Sequence, residues 1–145
     1  MNAPANTLRG SGTRGEPVRR PLEARFVGVL DNRNDGRGLA LIKAHTRVVR
    51  RYDIHELILT DEQSAAPGGT VNGVHYIGFV EFQAGGILAE GDSVNISGKV
   101  IGVIAGFDES HCPNHYNVLI KGPRRITGAE LQQQPGDLVI FLPPA

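Results

Sequence analysis

The sequence predicts an all-β domain, and three observations carry that prediction. Short β-branched and aromatic runs recur along the chain, each bounded by turn residues. Nineteen glycines and nine prolines among 145 residues supply the punctuation between those runs. A Gly-Asp turn also appears twice in the same setting. Leu88-Ala-Glu-Gly-Asp-Ser-Val-Asn-Ile96 and Leu131-Gln-Gln-Gln-Pro-Gly-Asp-Leu-Val-Ile-Phe141 each lead from an apolar anchor through Gly-Asp into a strand. Paired turns of this kind suit a small closed antiparallel β-barrel of about six to eight strands. Closure also removes exposed sheet edges.

Taken in order, residues 1–22 are rich in Arg, Gly, Pro and Thr and poor in large apolar groups. They cannot bury enough surface to offset the entropy of ordering, so a disordered tail is expected there, with one barrel domain over residues 23–145. Arg25–Leu30 reads as the first strand and Asp31–Gly38 as a turn. Leu39–Val49 reads as one long strand. Its even positions (Ala40, Ile42, Ala44, Thr46, Val48) are expected to be buried, which puts Lys43, His45 and Arg47 together on the opposite face. Ile54–Leu59 fits either a strand or a helical turn. Thr60–Gly73 is a long small-residue loop, and Val74–Phe82 is a clear strand. Gly85–Asp92 is a turn into the strand Ser93–Ser97. Gly98-Lys99 forms a tight turn into Val100–Ala105. Val118–Lys121 and Leu138–Leu142 complete the set.

Bulk composition narrows the function. Lys plus Arg equals Asp plus Glu at 15 each. A nucleic-acid binder needs a positive excess, so no nucleic-acid partner is expected. Zero net charge also weakens the repulsion that keeps copies apart, so a homo-oligomer is expected. The single cysteine excludes an intrachain disulfide and fits a reducing cytoplasm. No apolar run reaches the roughly 18 residues that cross a bilayer, and the first ten residues lack the apolar core of a signal peptide, so no membrane association is expected.

Chemistry-bearing residues concentrate in Gly106-Phe-Asp-Glu-Ser-His-Cys-Pro-Asn-His-Tyr-Asn117, between two strands. Loops held by strands are where working residues tend to sit. His111 and His115 offer imidazole nitrogens, and Asp108 and Glu109 offer oxygens. That donor set suits a divalent metal such as Zn, Fe or Mn. Pro113 argues against a helix that would align the two rings. The same four residues could instead work as a metal-free acid–base set. A third reading is structural: Asp108 and Asn114 bond loop backbone while the histidines pack or face water. Cys112 is expected to be a small buried hydrophobe, and His55 and His75 to be structural. Lys43, His45 and Arg47, with Asn114 and Asn117, form the expected ligand-binding set for a small anionic molecule. Phe79 and Phe82 are candidates for one wall.

Two family resemblances add to this. Ile87-Leu-Ala-Glu-Gly-Asp-Ser-Val-Asn-Ile-Ser-Gly98, Val103-Ile-Ala-Gly106, Asn114-His-Tyr-Asn-Val-Leu-Ile-Lys-Gly122 and Pro135-Gly-Asp-Leu-Val-Ile-Phe141 are similar in order and spacing to the A component of the glucitol/sorbitol phosphotransferase system. The resemblance covers Tyr76 to Phe141 and implies a compact β-barrel with a phosphorylated histidine. Phe79 stands at that position and Glu81 at a second family histidine; a phenyl ring cannot accept a phosphoryl group. His115 matches the histidine that opens the later strand. The chain also resembles an uncharacterised family of small bacterial proteins with a Gly-Phe-Asp-Glu-x-His-x-Pro-Asn-His core. Together these readings lead us to expect a small-molecule-binding barrel, an enzyme working through its His/carboxylate loop. The alternative is a non-catalytic sensor, chaperone or assembly module descended from a phosphocarrier.

Overall fold

The computed structural model describes residues 18–145. Among them the chain forms strands β1 (Leu22–Val29), β2 (Arg33–Asn34), β3 (Leu39–Ala40), β4 (Thr46–Val49), β5 (Ile54–Thr60), β6 (Thr70–Val71), β7 (Val74–Phe82), β8 (Gly86–Ala89), β9 (Ser93–Ile96), β10 (Lys99–Asp108), β11 (Asn117–Lys121) and β12 (Leu138–Leu142), and no helix. The all-β expectation stands. The expected tail lies outside the described residues up to position 17. Its last residues are ordered: Arg19 forms a two-bond ion pair with Asp92, and Leu22 is buried at the start of β1.

The main sheet runs β1-β12-β9-β10-β11-β5-β7-β2. β1 serves both ends of this order. Leu22–Arg25 pair with β12, and Ala24–Val29 pair with β7. β3 with β6 and β4 with β8 form two small sheets beside it. One pairing departs from the antiparallel expectation. β11 and β5 run parallel, with Asn117 opposite Glu56 and Lys121 opposite Thr60. A parallel pair needs a long crossover, and residues 61–116 supply it.

The expected strand Leu39–Val49 is broken after Ala40. Leu39, Leu41 and Val49 are buried, the opposite phase from the expected even positions, and Val48 is 68% exposed. Leu41 donates its N–H to Gly69 O and packs against Gly106, and Ile42 donates to Phe107 O. Those bonds redirect the chain before a second alternation can form. Lys43, His45 and Arg47 consequently share no strand face. Ile54–Leu59 resolves as strand. Its alternation then divides the sheet's two faces. Leu57 and Leu59 enter the larger core with Phe107, Val118, Ile120 and Val80, while Ile58 faces the other way, into a second core with Leu119, Ala105 and Val74. Leu39, Leu41, Ala65 and Val71, from the β3–β6 arm and its loop, cover that second face. Burying each such leucine contributes about 1.5–3 kcal/mol.

The Gly-Asp echo is structural. Ala89 and Gln134 each donate an N–H to the Asp three residues on, Asp92 and Asp137, at 2.9 and 2.8 Å. Gly91 and Gly136 sit between at φ 92° and 96°, the left-handed region where glycine is unstrained. Arg50–Asp53 repeats the motif: Arg50 N–H donates to Asp53 at 2.8 Å, with Tyr52 at φ 74° in the glycine position.

Candidate functional site

Register builds the site. Asp108 lies opposite Asn117, Asn117 opposite Glu56, and Glu56 opposite Phe79, so four side chains form a row across β10, β11, β5 and β7. Each alternates with a residue of the larger core, which puts the row on the second face. The adjoining row carries Leu119, Ile58 and Tyr76. A polar row thus borders an apolar one beneath the β3–β6 arm.

Asp108, Asn117 and Glu56 are all buried. Asn117 Nδ2 donates to Asp108 Oδ2 at 2.7 Å, and Ser110 Oγ donates to the same carboxylate at 2.6 Å. This leaves Asn117 Oδ1 buried and without a donor among the described residues. Such an orphan acceptor costs about 1–3 kcal/mol.

The loop folds its histidines onto this row. It turns twice, through Cys112 N–H to Glu109 O and Asn114 N–H to His111 O, and forms no helix, as Pro113 requires. His115 then reaches back so that Nε2 lies 3.3 Å from Glu56 Oε1. Its Nδ1–H donates to Asn114 Oδ1 at 2.7 Å, which fixes the tautomer. Nε2 is therefore the lone-pair side of the neutral ring, and the contact with Glu56 needs one proton between them. Burial raises the Glu56 pKa, against lesser opposing effects of His111 and Arg37. Burial lowers that of His115. The two shifts run toward each other, and the contact holds one proton between Glu56 and His115. Phe79 meets His115 edge-on at 5.1 Å, and the exposed His111 stacks on its other side at 5.0 Å and 22°.

The remaining expected residues go elsewhere. Glu109 pairs with Arg47, whose guanidinium lies 4.5 Å over the Tyr116 ring. His45 bonds Glu90 at 2.5 Å on the surface, and Lys43 is exposed. The expected ligand set of Lys43, His45 and Arg47 is thus dispersed by the break after Ala40. Stacked rings do not converge their nitrogens, and among the described residues no group of three or more His, Cys, Asp or Glu is placed to hold a metal ion. Cys112 is exposed, contrary to expectation, because the loop's turns face solvent. Phe82 belongs to the larger core; only Phe79 reaches the site. An open cleft of about 560 Å³ bordered by Asp61, Gln63, Val103 and Lys121 contains none of the site residues.

His55 forms a second cluster. It stacks on Tyr116 at 3.5 Å, and its Nδ1 accepts the Tyr116 N–H at 3.1 Å. Nε2 is buried and, among the described residues, has no hydrogen-bond partner; it lies 3.8 Å from Asp53. Burial lowers its pKa to about 4 and raises that of Tyr116. The structural role expected of His55 fits this geometry.

Sequence reasoning missed Glu56. A carboxylate inside the apolar run Ile54–Leu59 was the available signal for Glu56. The family whose pattern matches the chain, over residues 16–142, is described as a family of unknown function (DUF6917). No curated protein and no solved structure matches; the phosphotransferase likeness gains no support from these comparisons.

Proposed function

Since the chain belongs to this family of unknown function, we propose a function from the site itself: acid–base catalysis of proton transfer on a small molecule, with Glu56 and His115 as the working pair. The observation that carries this reading is the Glu56–His115 contact on a buried face, with one proton to share and a tautomer set by Asn114. A carboxyl group and an imidazole in hydrogen-bond contact can pass a proton between them and to a bound molecule. His111, stacked outside His115, links the pair to solvent. Asp108 and Asn117 hold the floor, and Glu109 ties the loop to Arg47. We read the strand pairings that return to β1 as a closed barrel, a rigid frame for these side chains. We place the protein in the cytoplasm on its single thiol.

The test is hydrogen–deuterium exchange. The protein in D₂O is mixed with a panel of small carbonyl compounds, and loss of the C–H signal adjacent to the carbonyl is followed by proton NMR. In this reaction the Glu56–His115 pair takes the C–H proton, the bonding pair forms a C=C bond as the carbonyl π pair moves onto oxygen, and a solvent-derived deuteron returns to carbon as the carbonyl re-forms. We expect exchange with at least one compound, reduced 100-fold or more in Glu56→Gln and in His115→Ala. Exchange that persists in both variants would remove the pair from the chemistry. No exchange with any compound would favour the non-catalytic alternative, a sensor or assembly module.

A further inference from the structure

We propose that Arg37 and Tyr76 form a seat for the carboxylate of a small organic acid beside the Glu56–His115 pair. This rests on, and deepens, the acid–base reading. Arg37 leads into β3, the arm that covers the second face. Its backbone N–H is fixed to Asn72 O at 3.1 Å, and Asn72 Oδ1 accepts the Gly38 N–H. Its Nε–H donates to Tyr76 Oη at 3.1 Å. That one bond has two consequences. The guanidinium is anchored by a single nitrogen, and among the described residues no hydrogen bond or ion pair engages Nη1 or Nη2. The phenol accepts from Arg37, so its own O–H remains available to donate. Two terminal N–H groups and one O–H on neighbouring atoms match the two oxygens of a carboxylate.

Placement supports the choice of site. Tyr76 lies opposite Ile58, two residues along β5 from Glu56 on the same face. The Arg37 charge acts on Glu56, yet no ion pair joins them. Held by Tyr76, the cation is anchored to the row that adjoins Glu56, with its fork uncommitted. Asp108 stands in the same row as Glu56 and adds negative charge there, so the surroundings disfavour a dianion. A monocarboxylate fits better than a phosphate. Bound there, it would present the atoms next to its carboxyl group toward Glu56.

Isothermal titration with pyruvate, and separately with inorganic phosphate, tests this without requiring turnover. The native protein should bind pyruvate, and bind phosphate at least 10-fold more weakly. Arg37→Gln should weaken pyruvate binding 10-fold or more. Arg37→Lys keeps the charge and loses the fork, and should still lose at least 5-fold. Tyr76→Phe should lose 3-fold or more. Equal pyruvate affinity in native protein and Arg37→Gln overturns the seat, as does tighter binding of phosphate or no binding of pyruvate. Arg37-dependent binding without any C–H exchange leaves the seat standing and removes the acid–base reading. C–H exchange that is indifferent to Arg37 does the reverse.

Discussion

Protonating His55 puts two donors face to face, because Nδ1 already accepts the Tyr116 N–H. Burial is the larger obstacle to that proton, and it lowers the pKa to about 4 from an ordinary value of 6.5. Between those values the unfolded chain binds more protons, so stability falls as pH drops from about 6.5 to about 4. The loss is on the order of 3 kcal/mol over the window. Glu56 acts with the opposite sign. Its folded pKa is raised, so its contribution is lost as pH climbs above the ordinary carboxylate range. Urea unfolding from pH 4 to 8 separates the two. His55→Phe should flatten the acid limb, although it lowers stability at neutral pH by about 1–3 kcal/mol because Tyr116 N–H loses its acceptor. An acid limb unchanged in His55→Phe would assign the effect to other groups. His55 reads as structural from its apolar neighbours alone, and that reading agrees with the geometry. Glu56 does not announce itself in the same way, since its partners lie far away in sequence.

The Asp-anchored turns differ in what surrounds them. Asp92 is buried and also pairs with Arg19, while Asp137 serves its turn near the surface. Removing one member of a buried pair costs about 3–5 kcal/mol, and removing one exposed turn bond about 1. Asp92→Ala should therefore destabilise by at least 2 kcal/mol more than Asp137→Ala in chemical denaturation; equal losses would show that the Arg19 pair contributes little. These turns are legible in the sequence because Gly-Asp between apolar runs has a local mechanism. The strand Val74–Phe82 is legible for the same reason, being a continuous β-forming run bounded by Gly73 and by Gly85-Gly86. The break after Ala40 is not. It depends on Gly69 O and Phe107 O, acceptors supplied by distant segments. Without that break, Lys43, His45 and Arg47 look like one face, which is why the expected ligand set dissolves. The loop donors Asp108, His111 and His115 are visible because they crowd a dozen residues. Their partner Glu56 enters only through the pairing of β5 with β11, strands separated by residues 61–116, which no local pattern carries.

At the scale of the molecule, positive and negative side chains balance at 15 each. Val18, Val48, Tyr52 and Val100 are all at least 60% exposed. We propose that copies of the chain associate, and light scattering in moderate salt should return a mass above that of one chain; a single-chain mass across the working concentration range removes this idea. The parallel pairing of β5 with β11 also bears on how the protein comes into being. A ribosome extends a chain at roughly 5–20 residues per second, so β5 emerges roughly 3 to 11 seconds before β11. During that interval Leu57, Ile58 and Leu59 lack the neighbour that will flank them on one side. Glu56 stands directly before that apolar triplet, a charge flanking a segment that would otherwise be prone to pair with another nascent chain. The carboxylate that faces His115 in the finished protein thus flanks the exposed apolar triplet of the unfinished one.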